Sequence, residues 1–270
     1  MNYLKIDRIQ RLLETVFISR NMIYFKNIDS TNTFASGLIR EDLKKEKALH
    51  TERHRGTVIF AETQHSGLGR LKKRWHSPPG GLWFTIILNP LSINPEIKLN
   101  CLSKITLITA SVIAESLADI ELNSYNEKVN TGLNNSPDKK DSGSNARFNK
   151  KNAVLNTGLN SCMDTGLKIK WPNDIYYSGK KLAGILSESE KICGHVFLLI
   201  GIGINVNFKT ETVMSDDINA ISLLDILGKQ VDREMLFARI LNLFEVKYNY
   251  FIKTGDFKSI FKPVEKLLVV

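Results

Sequence analysis

Cysteine is scarce in this 270-residue chain: Cys101, Cys162 and Cys193 are the whole complement, and no two form a C-x-x-C pair. No histidine stands near them at finger spacing, which argues against a structural zinc site. An odd number of thiols reads as reduced cysteines in a cytoplasmic setting rather than a disulfide framework. Long apolar runs are missing as well, since none approaches the ~20 residues that cross a bilayer. The opening residues, Met1 to Arg8, carry charge where an export signal needs an apolar stretch. There is no G-x-x-x-x-G-K-[ST] phosphate loop, and no third glycine completes a dinucleotide fingerprint. Membrane-spanning proteins, secreted disulfide scaffolds and P-loop enzymes are therefore poor fits.

What the chain does have is apolar material and positive charge. At 43% hydrophobic and 24% charged residues, it can bury a sizeable core. Lys and Arg number 37 against 28 Asp and Glu, a net charge of +9. Such a surface suits an anionic partner, either nucleic acid or a phosphorylated or acidic ligand. His50 and His54 stand four apart, but Thr51-Glu-Arg and Arg55 around them read as a solvated face, not a metal site.

The apolar pattern alternates between helix and strand. Ile9-Gln-Arg-Leu-Leu-Glu-Thr has helical spacing, Ile23-Tyr-Phe is a strand candidate, and a polar cap at Asp29 precedes a helix from Thr33. Strands are expected at Thr57–Glu62, Leu82–Leu88, Leu167–Trp171, Lys181–Glu188 and Val196–Val206, and a buried helix at Leu102–Leu117. Ser222–Leu227 reads as a short helix, and Asp232 caps a longer one running to about Lys253. Residues 123–166 are rich in Asn, Ser, Gly and Lys, contain Asn-Thr-Gly-Leu-Asn twice, and are expected to be a disordered insertion. The expected class is α+β, a mixed β-sheet with helices packed on it. Residues 1–22 would be a helical lead-in, 23–262 the main domain, and 263–270 a single strand, the start or remnant of a C-terminal β element.

Four stretches carry candidate chemistry. Ser30-Thr31-Asn32 is at least an N-cap. Gly67-Leu68-Gly69-Arg70, with Lys72, Lys73, Arg74 and Trp75 close behind, offers backbone amides and cations to an anion, or is simply an exposed basic hairpin. Lys170-Trp-Pro-Asn173-Asp174 precedes Lys181-Leu-Ala-Gly184 across a hairpin, with Asn173 and Asp174 read as turn residues. Gly201-Ile-Gly-Ile-Asn205 is a buried strand in which the glycines mark a bulge and Asn205 satisfies backbone groups, unless it contacts a ligand.

Taken in order, these stretches closely resemble the biotin protein ligase family, over roughly Ile23 to Val206. The resemblance implies a cytoplasmic enzyme that joins biotin's carboxylate to the α-phosphate of ATP, with Mg²⁺ screening the triphosphate. The biotinyl group would then pass to a lysine of a biotin carboxyl carrier protein or domain. It further implies that Arg70, Lys170 and Lys181 are catalytic. Ser30, Thr31, Asn32, Gln64, Gly67, Leu68, Gly69, Arg70, Lys181 and Gly184 would bind biotin. Arg70, Lys73, Trp75, Lys170, Asn173 and Asn205 would bind ATP, and Asp174 is a weak candidate for the metal.

The sequence departs from the family pattern in three ways. Leu68 and Lys73 stand where the family's loop carries arginines, and Lys73 cannot make a bidentate phosphate contact. About twenty residues precede Ile23, too few for a DNA-reading domain, so no specific DNA binding is expected. The family's C-terminal barrel is absent or reduced to its first strand. A homodimer is left open. Two other readings stay in play, a related lipoate or octanoate protein ligase and a basic, non-catalytic nucleic-acid-binding protein.

Overall fold

The computed structural model describes residues 3–45, 53–95, 103–133, 166–192, 194–213 and 219–269. The chain runs through α1 (Ile6–Leu12), β1 (Met22–Ile28), α2 (Thr31–Lys45), β2 (Val58–Gln64), β3 (Leu82–Leu88) and α3 (Pro90–Ile93). Next come α4 (Ser103–Leu133), β4 (Leu167–Lys170), β5 (Asp174–Tyr177), β6 (Lys180–Ile192) and β7 (His195–Ile204). It closes with α5 (Thr210–Val213), α6 (Leu223–Leu227), α7 (Arg233–Thr254), α8 (Phe257–Phe261) and β8 (Leu268–Val269). The strands form one eight-stranded sheet in the order β1-β2-β3-β7-β6-β5-β4-β8. The pairs β1–β2 and β4–β8 are parallel and the rest antiparallel, the mixed α+β arrangement expected.

The side-chain period of two decides which face each strand residue serves. On one face Phe60, Phe84, Ile86, Ile200 and Ile202 join the main core with Ile108 and Val112 of α4 and Phe237, Ile240 and Phe244 of α7. On the other, Ile59, Ile87, Phe197 and Leu199 pack under Ala35 and Ile39 of α2. Continuing along that second face, β7 swaps large residues for Gly201 and Gly203, and β3 places Thr85 and Trp83 beside them. A hollow opens there, just beyond the N-terminus of α2.

Helix ends follow the expected chemistry. Asp232 accepts from the Met235 amide to start α7, and Gly255 ends it in the left-handed region. Ser222 and Asp225 form a reciprocal capping box on α6. The lead-in segment is tied to α7, where the Glu245 carboxylate accepts from the amides of Val16, Phe17 and Ile18.

Several expectations need correction. Helix α4 does not stop at Leu117 but runs to Leu133, past the expected start of the insertion at Asn123. Once a helix is nucleated, each added residue costs little, so polar sequence can extend it. The remainder of the expected insertion, 134–165, lies outside the described residues, as do His50 and all three cysteines. Asp174 opens β5 instead of standing in a turn, so the expected hairpin contains an extra strand. The ladder irregularity falls between Ile175 and Tyr176, not at the glycines of β7. The expected C-terminal strand is a 3-10 turn, Lys262–Leu267, leading into the two-residue β8 beside β4. His54 is buried rather than solvated, with Nε2 2.7 Å from the Asp42 carboxylate.

Candidate active site

The hollow on the α2 side of the sheet is a cleft of about 440 Å³. It gathers Ser30, Thr31, Asn32, Gln64, Leu68, Gly69, Arg70, Lys73, Trp75, Lys170, Asn173, Asp174, Lys181 and Gly184. Four stretches spread from residue 30 to residue 203 thus meet in one place. A larger hollow of about 610 Å³ lies beside Pro78 and Phe208 and holds none of these residues. Among its charged groups, Arg8 pairs with Asp232 and Glu234, and Arg233 with Glu62.

One end of the cleft is neutral and polar. Ser30, Thr31 and Asn32 are buried at the start of α2. Gln64 Oε1 accepts from the Thr31 amide at 2.8 Å and lies 3.1 Å from Thr31 Oγ1. Gln64 Nε2 donates to Ser77 Oγ at 2.8 Å. These contacts fix which end of the Gln64 amide faces which neighbour, and they leave Nε2 a second hydrogen for a ligand acceptor. Ser30 keeps its hydroxyl hydrogen, because its oxygen is the acceptor for the Thr33 amide.

The other end is cationic. Arg70 Nη1 donates to Asn173 Oδ1 at 2.8 Å, and Asn173 Nδ2 donates to the Ile185 carbonyl and to Asp174. Lys181 Nζ lies 3.0 Å from Asp174 Oδ2 and 5.0 Å from the centre of the Trp75 ring. Lys170 Nζ stands 5.5 Å from the Tyr176 ring. Three cations around one mouth are suited to stabilising an anion whose charge builds up during reaction.

The Gly67–Trp75 loop is not the loose segment its glycines suggest. It is a small hairpin in which the Gly69 amide donates to the Lys73 carbonyl at 2.7 Å and the Trp75 amide to the Gly67 carbonyl at 2.8 Å. A Cβ on Gly67 would lie 2.4 Å from the Trp75 carbonyl, so glycine is needed there for close approach and not for freedom. Gly67 therefore lies behind the cleft wall. At the loop's tip, Leu71 adopts a left-handed backbone (φ 57°) and is 87% exposed.

Two expected ligand contacts read differently. Asn205 does not line the cleft; its Nδ2 donates to the carbonyls of Ile221 and Lys181, the backbone-satisfying role open to it from sequence. Asn32 lines the cleft, yet its amide is engaged by Glu188, the Leu186 carbonyl and Thr85. Thr85, Ser77 and Glu188 were not singled out in the sequence. Thr85 sits inside an apolar strand, and only its neighbours in space reveal its use.

Comparison with known proteins agrees with this geometry. Residues 24–207 match the biotin/lipoate A/B protein ligase family. The bifunctional ligase/repressor BirA of Bacillus spizizenii is 27% identical over 259 residues, covering 94% of this chain and 60% of that protein. The chain thus spans about 60% of that relative's length. A biotin protein ligase from Aquifex aeolicus, solved in complex with biotin and ATP, superposes with a TM-score of 0.57 at 27% identity, covering 93% of this chain and 79% of that one. A Leishmania major biotin protein ligase, solved with biotinyl-5-AMP, shares the fold at 21% identity and a TM-score of 0.56, covering 93% and 84%. Among the described residues, no helix is long and apolar enough to cross a membrane.

Proposed function

The chain belongs to the biotin/lipoate A/B protein ligase family, and we propose that it activates biotin with ATP and transfers it to a lysine of a biotin carboxyl carrier domain. The observation that carries this reading is the two-ended cleft, neutral donors and acceptors at Thr31 and Gln64 and cations at Arg70, Lys170 and Lys181. A ureido ring needs both donors and acceptors, and two anions brought together need cations where charge develops. In the first step the biotin carboxylate oxygen attacks the α-phosphorus of ATP, and pyrophosphate leaves. Lys181 would steer the carboxylate, and Arg70 and Lys170 would meet the phosphate. Trp75, Asn173 and Lys73 would flank the nucleotide. In the second step an acceptor lysine's amine attacks the acyl carbon, AMP leaves, and the amine's extra proton passes to solvent.

The residues do not build a cage for a resident metal. Asp174 is held by Lys181 and Asn173, and no three His, Cys, Asp or Glu side chains cluster to hold an ion among the described residues. Mg²⁺ would arrive on the triphosphate, as is usual for nucleotides. The reading implies a setting in which ATP and a carboxylase carrier are both present, and the cytoplasm would supply both.

The test is incubation with ATP, Mg²⁺ and labelled biotin, lipoate or octanoate, followed by separation of the acyl-adenylate. Biotinyl-AMP with pyrophosphate release is the expected result. Lipoyl- or octanoyl-AMP in its place would move the chain to the other branch of the family.

A further inference from the structure

The clue is where exposed apolar side chains gather. Leu71 stands at the tip of the Gly67–Trp75 hairpin, on the cleft mouth and 87% exposed. Its left-handed backbone holds strain that a glycine or asparagine would avoid. The Arg70 to Asn173 bond brings that hairpin against the segment in which Trp171 is 50% exposed. The Trp171 amide donates to the Val269 carbonyl at 3.0 Å, which sets a third exposed apolar residue beside it. Such side chains scattered singly mean little, but several around one cleft mark a surface that a partner covers.

The same rim is cationic. The period of two along β4 buries Leu167 and Ile169 in the core and turns Lys168 and Lys170 outward, both exposed. Strand register sets Lys168 opposite Tyr176 and Tyr176 opposite Lys181, so one row leads from the cleft out along the sheet. Lys170 Nζ lies over the Tyr176 ring. Among the described residues, neither Lys168 nor Lys170 has an acid within ion-pair distance, and Asp174 at the cleft mouth is already held by Lys181.

We propose that this rim, Leu71 and Trp171 with Lys168 on the row beside them, is where the acceptor protein docks, meeting it with an acidic face around the target lysine. It rests on the biotin-activating reading and deepens it by naming the partner's chemistry. Transfer needs an amine at the acyl carbon inside the cleft, so the domain that carries the amine must press against the mouth. An aromatic and aliphatic centre with a polar rim is the composition of such contacts. Lysines without acids of their own attract an acidic partner and set its orientation. A second copy of this chain fits poorly. A two-fold contact lays a patch on itself and would crowd the lysines of both copies together.

The test separates docking from chemistry by giving the adenylate two nucleophiles. One is a biotin carboxyl carrier domain in its unmodified form. The other is hydroxylamine, which enters the cleft without docking, forms biotinyl hydroxamate and releases AMP. The full chain is compared with Lys168→Glu, Trp171→Ala and Leu71→Asn, asparagine being a residue that accepts the left-handed backbone. Lys168→Glu is expected to raise KM for the carrier about tenfold, and Trp171→Ala at least as much, as loss of an aromatic anchor does. Leu71→Asn should raise it a few-fold. Hydroxamate formation should be unchanged in Lys168→Glu and Leu71→Asn. Added salt should raise the wild-type KM steeply and that of Lys168→Glu little. A carrier whose acids beside the target lysine are changed to arginine should win back most of what Lys168→Glu loses.

Wild-type carrier kinetics in Lys168→Glu overturn the acidic partner, and in all three variants they overturn the docking surface. An equal loss toward hydroxylamine also overturns it, because the residues then belong to the cleft's own chemistry. If the variants keep wild-type carrier kinetics but lose a dimer, or affinity for single-stranded RNA, the face belongs to that partner instead. A wild type that forms no biotinyl hydroxamate overturns the biotin reading itself.

Discussion

The guanidinium of Arg70 spans the mouth of the cleft and donates to the side-chain carbonyl of Asn173, 103 residues further along the chain, at 2.8 Å. This bond joins the Gly67–Trp75 hairpin to the segment between β4 and β5. Asn173 is held in turn by the Ile185 carbonyl at 2.9 Å, so the position of Arg70 derives from the sheet itself.

Asn173→Ala should therefore loosen Arg70 without removing its charge. Loss of one hydrogen bond to a charged group costs about 1.5–3 kcal/mol, or roughly ten- to a hundredfold. The loss is expected in kcat/KM for ATP, with biotin affinity changed far less. Pyrophosphate release over an ATP titration measures it, and an unchanged ATP dependence would detach Asn173 from the nucleotide.

Lys181 has two neighbours that make opposite demands. Its ammonium pairs with Asp174 at 3.0 Å, yet it stands in the cleft where the biotin carboxylate would arrive. Lys181→Ala should weaken biotin binding by about ten- to a hundredfold, with a few-fold effect on ATP. Asp174→Asn should leave biotin binding near the wild-type value, because the ammonium stays in place. Equal losses in both variants would mean that the pair acts only as a structural unit.

Gly203 supports Trp75 from below. A Cβ at that position would lie 2.5 Å from Trp75 Nε1, and the indole cannot retreat because it packs edge-on against Trp83 at 6.3 Å. Gly203→Ala should cost about 1–3 kcal/mol, as overpacking usually does. Urea unfolding would show the stability loss and an ATP titration the displaced indole. A variant with wild-type values in both would show that Trp75 moves aside freely.

What could be read from sequence divides along physical lines. Leu82–Leu88 is a plain apolar run stopped by Asn89-Pro90, and β3 occupies those same residues. Asp232 announces α7 because an acidic N-cap before an apolar repeat is a local signal. Motif spelling brought the cleft together, since Arg70, Lys170 and Lys181 are chemically conspicuous. Strand β5 was hidden because Pro172-Asn-Asp reads as a turn, and its strand character comes from pairing with β4 and β6. Thr85 and Glu188 were hidden for the same reason. Their meaning lies in partners that are distant in sequence, Asn32 being 53 and 156 residues away.

Distance in sequence also hid the ion pair inside the main core. Lys247 of α7 and Glu115 of α4 are 1% and 2% exposed and in direct contact, with Ser111 3.5 Å from the ammonium. Burial pushes the Glu115 carboxyl up and the Lys247 ammonium down, each partly opposed by the other's charge. Arg239, paired with Asp119 one turn along, also favours the Glu115 carboxylate. Desolvation can outweigh the attraction in such a pair, while stranding one member costs about 3–5 kcal/mol. Lys247→Met removes the cation and should raise the Glu115 carboxyl further. A carboxyl whose pKa is higher folded than unfolded contributes its stability at pH below the unfolded value, about 4.3. That contribution is lost as pH rises through the folded value. The cost of Lys247→Met should therefore be largest near pH 8 and should shrink steadily toward pH 5. Adding Glu115→Leu removes the stranded group, so the double variant should recover most of the loss and show little extra pH dependence. Urea unfolding of the wild type and both variants at several pH values gives the comparison. A Lys247→Met cost that stays constant with pH, or a double variant no more stable than the single, would assign the loss to packing instead of charge.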